Sequence, residues 1–297
     1  MSTVSNEPWT VQRLLEWTSG FFARKEVDGA RLSAELLLAH VLDVPRIKLY
    51  TNYQNVVSEK QLAQFRELVR RAGEHEPVAY LTGRGWFFNL EFEVSPKVLI
   101  PRADTETLVE NVLQLARNTA GFEAPRVLDL CTGSGCIAAA IAHRLKNAVV
   151  IATDISPDAV EVARRNVERL GLAGRVTVEQ GDLYEPIKQM VDARPFDLIV
   201  ANPPYIPTDD IARLDRNVRE YEPVTALDGG MDGLMMHRRI IEHAHERLVS
   251  GGRIYLEIQF DQGPALVEIF AGHEPFEDVR VLKDFAGKDR VVTARRR

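Results

Sequence analysis

Cysteine is almost missing from this chain: only Cys131 and Cys136 occur in 297 residues. Two cysteines cannot build a disulfide framework, so the stapled secreted scaffolds are excluded and a reducing, cytoplasmic setting is expected. Long apolar runs are missing too, and none approaches the ~20 residues of a membrane span. The opening stretch, MSTVSNEPWT, lacks the basic and apolar blocks of a signal peptide. The 7 histidines are scattered without metal-ligand spacing, so no metal is expected. Positive charge is in deficit, with a net charge of −6. A broad nucleic-acid footprint is therefore not expected, and Arg295-Arg296-Arg297 reads as a solvated tail. What is present is the balance of a globular protein, 45% hydrophobic and 27% charged. The length suits one large domain or two ordinary ones.

Residues 1–84 read as a helical domain. Val11, Leu14, Leu15 and Phe22 recur at roughly helical spacing, as do Leu32, Leu36, Leu37, Val41 and Leu42 before Pro45. A third stretch carries Leu62, Phe65, Leu68 and Val69, with Ser58 and Gln61 suited to a capping box. Three short helices in a small bundle are predicted. Lys plus Arg and Asp plus Glu each number 12 over residues 1–100. A neutral bundle is poorly suited to phosphates but can dock a protein. Residues 85–101 alternate, are rich in aromatic and β-branched residues, and predict a hairpin linker with Ser95-Pro96 as its turn. From 102 to 297 strands and helices alternate, with strands expected at 126–130, 148–153, 175–179, 196–201, 253–258, 277–284 and 290–295. That alternation predicts an α/β, doubly wound, Rossmann-like sheet of seven strands. The short Gly287-Lys288-Asp289 turn makes its last two strands antiparallel.

The first of these strands runs into Cys131-Thr132-Gly133-Ser134-Gly135 and then a helix. Gly133 and Gly135 permit a tight turn and close approach of a ligand to the backbone. The second ends at Asp154, followed by Ser156 as a helix cap and Pro157 at the first helical position. An acid there can bond both ribose hydroxyls of an adenosine. The third strand ends at Gly181-Asp182-Leu183, where an acid and an apolar residue could flank an adenine ring. The two cysteines flank the glycine loop and read as small buried residues rather than as a redox pair.

The fourth strand, Leu198-Ile199-Val200-Ala201, stops in Asn202-Pro203-Pro204-Tyr205. In a sheet of this type it neighbours the first strand at the switch point, so the turn and the glycine loop share one crevice. Asn202 offers a side-chain carbonyl, and the prolines offer carbonyls without any N–H. The natural ligand of such a turn is an NH₂ group on a planar system, on which Tyr205 can stack. That nitrogen is a poor nucleophile because its lone pair is delocalised. As it attacks a methyl sulfonium its protons become acidic, and bonds to Asn202 and Pro203 strengthen in the transition state. Rigid alignment contributes more, and the paired prolines provide it. An amide and an adenine both satisfy these requirements. The acidic balance speaks against the nucleic acid that an adenine-N6 target needs.

At these residues the chain resembles the class I S-adenosylmethionine-dependent methyltransferases, and more closely the bacterial release-factor glutamine methyltransferases. The resemblance spans essentially the whole chain. It is carried by Pro77-Val78-Ala79-Tyr80-Leu81-Thr82-Gly83, by residues 98–106 (VLIPRADTE), by Thr132-Gly133-Ser134-Gly135 and by Asn202-Pro203-Pro204-Tyr205-Ile206. Tyr221-Glu222-Pro223, Gly230-Met231-Asp232-Gly233, Leu256-Glu257-Ile258, Gln262 and Asp284 through Arg290 complete it. It implies that S-adenosylmethionine contacts Cys131 through Gly135, Asp154, Leu183 and Asn202, to which the strand-end reading adds Asp182. It implies that residues 202–205 hold the glutamine amide of a Gly-Gly-Gln loop in peptide-chain release factors, and that the helical domain helps dock that factor. A glutamine of a ribosomal large-subunit protein is the alternative target within the resemblance. Two departures stand out: Cys131 and Gln259 occupy positions where glycine is usual. If the first position requires positive φ, cysteine is strained there.

Overall fold

Helix signals in the first eighty residues translate directly into local structure. The computed structural model describes residues 8–190 and 194–297, and these form two units. The first runs to Gly83 and takes in Asp215–Tyr221. Its α1 (Val11–Arg24) is capped by the Thr10 hydroxyl, which accepts from Arg13 N, and buries Val11, Leu14, Leu15 and Phe22. In α2 (Ala30–Leu42) the buried face overlaps the predicted one, with Leu37 buried and Val41 and Leu42 packed on the core, but is shifted from it. Ala34, Leu37 and Leu38 are buried, whereas Leu32 is 47% exposed. Glu35 turns inward with them and is held by Arg31 at 2.7 Å, Arg46 at 3.0 Å and the Tyr50 hydroxyl at 2.6 Å. Burial pushes its carboxyl up, but these partners outweigh it and leave the pKa lowered.

The bundle has more helices than the three expected. A short α3 (Arg46–Thr51) precedes α4 (Glu59–Ala72), and α5 (Val78–Thr82) follows it. Helices of one or two turns are too short to show periodicity. Pro45 and Pro77 sit at their N-caps and so begin a helix as well as ending what precedes it. The Ser58–Gln61 capping box on α4 forms as predicted.

The second unit opens with the hairpin β1 (Arg84–Phe87) and β2 (Leu90–Glu93). Its turn is Phe88-Asn89, not Ser95-Pro96, which lies beyond it. Both turn residues have positive φ, 51° and 62°, the mirror-image geometry whose twist suits a hairpin. Phenylalanine rarely takes that conformation, so nothing local announces the turn. The Phe88 N–H is anchored by Glu106 at 2.7 Å.

The rest alternates as α6 (Glu106–Asn118), β3 (Arg126–Leu130), α7 (Cys136–Arg144), β4 (Val149–Asp154), α8 (Pro157–Arg169), β5 (Val176–Gln180), α9 (Glu185–Lys188) and β6 (Phe196–Ala201). After α10 (Arg216–Arg219), which belongs to the first unit, come α11 (Met235–Arg247), β7 (Leu248–Glu257), α12 (Gly263–Ala271), β8 (Phe276–Lys283) and β9 (Asp289–Arg296). The sheet order is β5-β4-β3-β6-β7-β9-β8. β5 to β7 are mutually parallel, and β9 runs antiparallel to both of its neighbours. This is the predicted seven-stranded methyltransferase sheet. β7 begins earlier than expected because Gly251 and Gly252 absorb a register shift opposite Phe196–Leu198 instead of breaking the strand. The chain reverses its direction of travel between β3 and β6, and right-handed crossovers put the helices of the two halves on opposite faces. Leu128, Ile199, Ile254 and Val292 are buried without exposure in the sheet. No helix among the described residues is long and apolar enough to cross a membrane.

Candidate active site

The carboxyl ends of β3, β4 and β6 lie side by side, with Leu130 opposite both Thr153 and Ala201. The loop leaving β3 turns sharply: Cys131, Gly133 and Gly135 have φ of 57°, 56° and 79°. A Cβ on Gly135 would lie 3.2 Å from the Cβ of Ala163, so this glycine lets the loop pack on α8. A Cβ on Gly133 would meet nothing within 4 Å, so its backbone is open to a ligand. Asp129, wholly buried in β3, latches the loop from behind. Its Oδ2 accepts from the Thr132 hydroxyl at 2.6 Å and from Ala138 N at 3.1 Å. Burial pushes this carboxyl up to about 7.

Asp154 ends β4 as predicted, and Ser156 caps α8 through Ala159 N at 3.2 Å. Asp154 Oδ2 accepts from Gly133 N at 2.8 Å and Oδ1 from Ser156 N at 2.9 Å. Each oxygen keeps a lone pair for a ligand hydroxyl. Burial raises its pKa, and these backbone bonds oppose that. Asp182 is paired with Arg239 at 2.6 Å, a partner the sequence did not disclose. Leu183 has φ 48°, and its carbonyl accepts from the Thr153 hydroxyl at 3.0 Å.

The turn after β6 is held from several sides. Asn202 Nδ2 donates to Thr105 Oγ1 at 3.2 Å, leaving its carbonyl oxygen uncommitted. Pro203 is buried and Pro204 partly so. The Tyr205 hydroxyl donates to Glu257 Oε1 at 3.2 Å, and Gln262 Nε2 donates to the Tyr205 carbonyl at 2.9 Å. A Cβ on Gly233 would lie 2.3 Å from the Tyr205 carbonyl oxygen, so only glycine fits beside the turn. Glu257, at the end of β7, is 0% exposed. Burial pushes its carboxyl up to about 7 against the lowering effects of Thr105, Arg290 and Tyr205.

These elements surround a cavity of about 380 Å³, of the size that small-ligand sites take. Cys131, Thr132, Gly133, Ser134, Asp154, Asp182, Leu183, Asn202 and Pro204 all line it. Of the remaining site residues, Gly135 packs on α8 instead, and Pro203 and Tyr205 do not line the cavity. An open glycine-loop backbone on one wall, an acid beside it and apolar Ile155 and Leu183 suit a nucleoside with a charged tail.

Residues 13–83 match the family model "PrmC N-terminal domain", and residues 104–214 match "Methyltransferase small domain". A release factor glutamine methyltransferase from Geobacter sulfurreducens is 44% identical over 99% of this chain and 99% of its own length. One from Rhodopirellula baltica is 41% identical with the same coverage. The chain belongs to the release factor glutamine methyltransferase family. Among solved structures, a methyltransferase from Pyrococcus furiosus aligns over 71% of this chain and 90% of its own, at TM-score 0.50 and 23% identity. The hMettl16 catalytic domain, crystallised with an RNA hairpin, aligns over 70% of this chain and 75% of its own, at TM-score 0.55 and 18% identity. Both likenesses are of fold.

For this release factor glutamine methyltransferase family member the two sequence departures have different meanings. Cys131 does sit at positive φ, so the strain expected there is present. Its thiol is held protonated, first by burial and then by Asp154, Asp129 and Asp182, so it is no nucleophile. Gln259 is not among the positive-φ residues, so a side chain there carries no backbone penalty. Nothing in the sequence marks Thr105, Glu257, Gln262 or Arg239 as site residues. The first three lay inside the strings that carried the resemblance, but their contacts to the turn are long-range.

Proposed function

We propose that this chain methylates the side-chain amide nitrogen N5 of the glutamine in the Gly-Gly-Gln loop of peptide-chain release factors, in the cytoplasm. The cofactor is S-adenosylmethionine, which supplies an electrophilic sulfonium methyl group when bound. Thr132 through Ser134 would offer their loop to its methionine part, Asp154 would accept from its ribose hydroxyls, and Asp182 with Leu183 would flank its adenine. The carbonyls of Asn202 and Pro203 would accept the amide protons and so bind most tightly as those protons acidify. Tyr205 and the prolines keep that acceptor pair stiff, which favours alignment over ground-state binding. No general base is required, since the proton can leave after methyl transfer. The helical domain, residues 1–84, would recognise the body of the factor, with 85–101 as its link to the methyltransferase domain 102–297.

The observation that carries this reading is the sharing of one cavity by the glycine loop and Asn202, on adjacent strands. The test is incubation of the protein with methyl-labelled cofactor and a purified release factor, with ribosomal proteins and DNA as parallel targets, read by mass spectrometry. Label on the Gly-Gly-Gln glutamine is expected, and label only on another target overturns the assignment. Asn202→Ala should bind cofactor normally by calorimetry yet lose at least about a hundredfold in rate. Asp154→Ala should instead weaken cofactor binding by about tenfold or more, the loss of a charge-assisted bond.

A further inference from the structure

Glu257 is the least explained group near the turn. It is a fully buried acid whose Oε1 accepts from Tyr205, while Oε2 has no hydrogen-bond partner. Ala201 pairs with Leu256 in parallel register, which sets Glu257 beside Asn202 at the strand ends, and Thr105, 2% exposed, is bonded to that same Asn202. Its Oγ1 already accepts from Asn202 Nδ2 at 3.2 Å, so its own proton is left to donate. That proton and the open Glu257 Oε2 are complementary, and the Thr105 hydroxyl acts on the carboxyl as a hydrogen-bond partner does.

We infer that Glu257 is a positioning residue that sets the direction of the hydrogen bonds running through Thr105 to Asn202. Once ionised, as it is above about pH 7, the Glu257 carboxylate can only accept. It therefore draws the Thr105 hydroxyl proton toward itself, and Thr105 presents a lone pair to Asn202. The Asn202 amide must then turn its NH₂ inward and its carbonyl toward the cavity. The same carboxylate fixes the Tyr205 ring by its hydroxyl. A buried acid at the end of β7 thus decides whether the turn offers an acceptor or a donor to an incoming NH₂ group. The inference rests on the proposed amide substrate for its kinetic consequence, but the orientation of Asn202 belongs to the protein alone.

Glutamine at this position keeps the shape and reverses the polarity, because its NH₂ donates to Thr105 and pushes the hydroxyl proton toward Asn202. At pH 8, where Glu257 is ionised, E257Q is expected to keep cofactor affinity within about twofold and to lose at least about tenfold in kcat. T105V should show the same split, T105S should lose far less than T105V, and E257Q/T105V should be no slower than T105V alone. Independently of any substrate, nitrogen-resolved NMR of the wild-type protein should show slowly exchanging Asn202 Nδ2 protons that become fast in E257Q and T105V. Unaltered exchange in folded variants overturns the inference whatever the substrate proves to be. So do single losses that multiply in the double variant, or E257Q turning over within about threefold of wild type. If E257Q fails to fold, the T105V and T105S pair decides by the same two readouts. A wild type that leaves release factors unmethylated yet shows protected Asn202 protons refutes the proposed substrate and leaves the hydrogen-bond direction standing.

Discussion

Cys131 shows how one side chain can be tolerated where the backbone asks for glycine. Its φ of 57° carries a penalty for any L-residue with a Cβ, about 1–2 kcal/mol. In return the side chain packs against the apolar cluster under the sheet's carboxyl edge. The two effects separate by comparing two truncations. Cys131→Ala and Cys131→Gly both remove the thiol, but only glycine removes the strain. Cys131→Gly should therefore be more stable than Cys131→Ala by about 1 kcal/mol in denaturant unfolding. The opposite order would show that the loop carries no strain. Strain of this kind was legible only as a condition, since the sequence marks an unusual residue but not the φ beneath it. The remaining site residues divide the same way. Asp154 and Ser156 were readable because strand end, acid and cap follow one another along the chain. Thr105 was not, because its bond to Asn202 joins residues 97 positions apart.

Elements were legible where their signals are local and redundant. The Ser58–Gln61 box starts α4 where the sequence places it, because cap, acceptor and apolar stripe coincide. Ser58→Ala should cost about 1 kcal/mol. Trp9 and Trp17 lie in the first unit, while Trp86 in the second is 60% exposed, so the change in tryptophan fluorescence during urea unfolding reports chiefly on the first. An unchanged midpoint in that signal would mean α4 is held by packing alone. Where elements were misread, tertiary partners had the deciding effect. The buried face of α2 is set by Glu35 meeting Arg31, Arg46 and Tyr50, which turns Leu32 out. Two of these partners lie beyond the helix, so no periodicity within it could select that face. The β1–β2 turn was missed because Phe88-Asn89 carries only half of the usual asparagine-glycine signature.

For the whole molecule the interior charges set a pH response that surface charge does not. Asp129 and Glu257 are both fully buried, and burial pushes each carboxyl up to about 7. The folded state then holds more protons than the unfolded chain between the ordinary carboxylate range and about pH 7. Stability from these groups is complete at the acid end of that window and is lost as pH rises through it. His237 works in the other direction. Burial pulls its pKa down to about 4, so the unfolded chain binds the extra proton between pH 4 and 6.5, and stability from this group rises with pH there. The histidine offsets part of the carboxylate effect up to about pH 6.5 and none of it above. Thermal unfolding should thus show a shallow profile from about pH 5 to 6.5 and a decline from there to about pH 7.5. Asp129→Asn replaces a titrating latch with a neutral one that can still accept from Thr132 and Ala138. It should flatten the decline and gain on the wild type by about one to a few kcal/mol between pH 5 and 8. Parallel curves for the two proteins across that range would mean that Asp129 does not change its proton occupancy on folding.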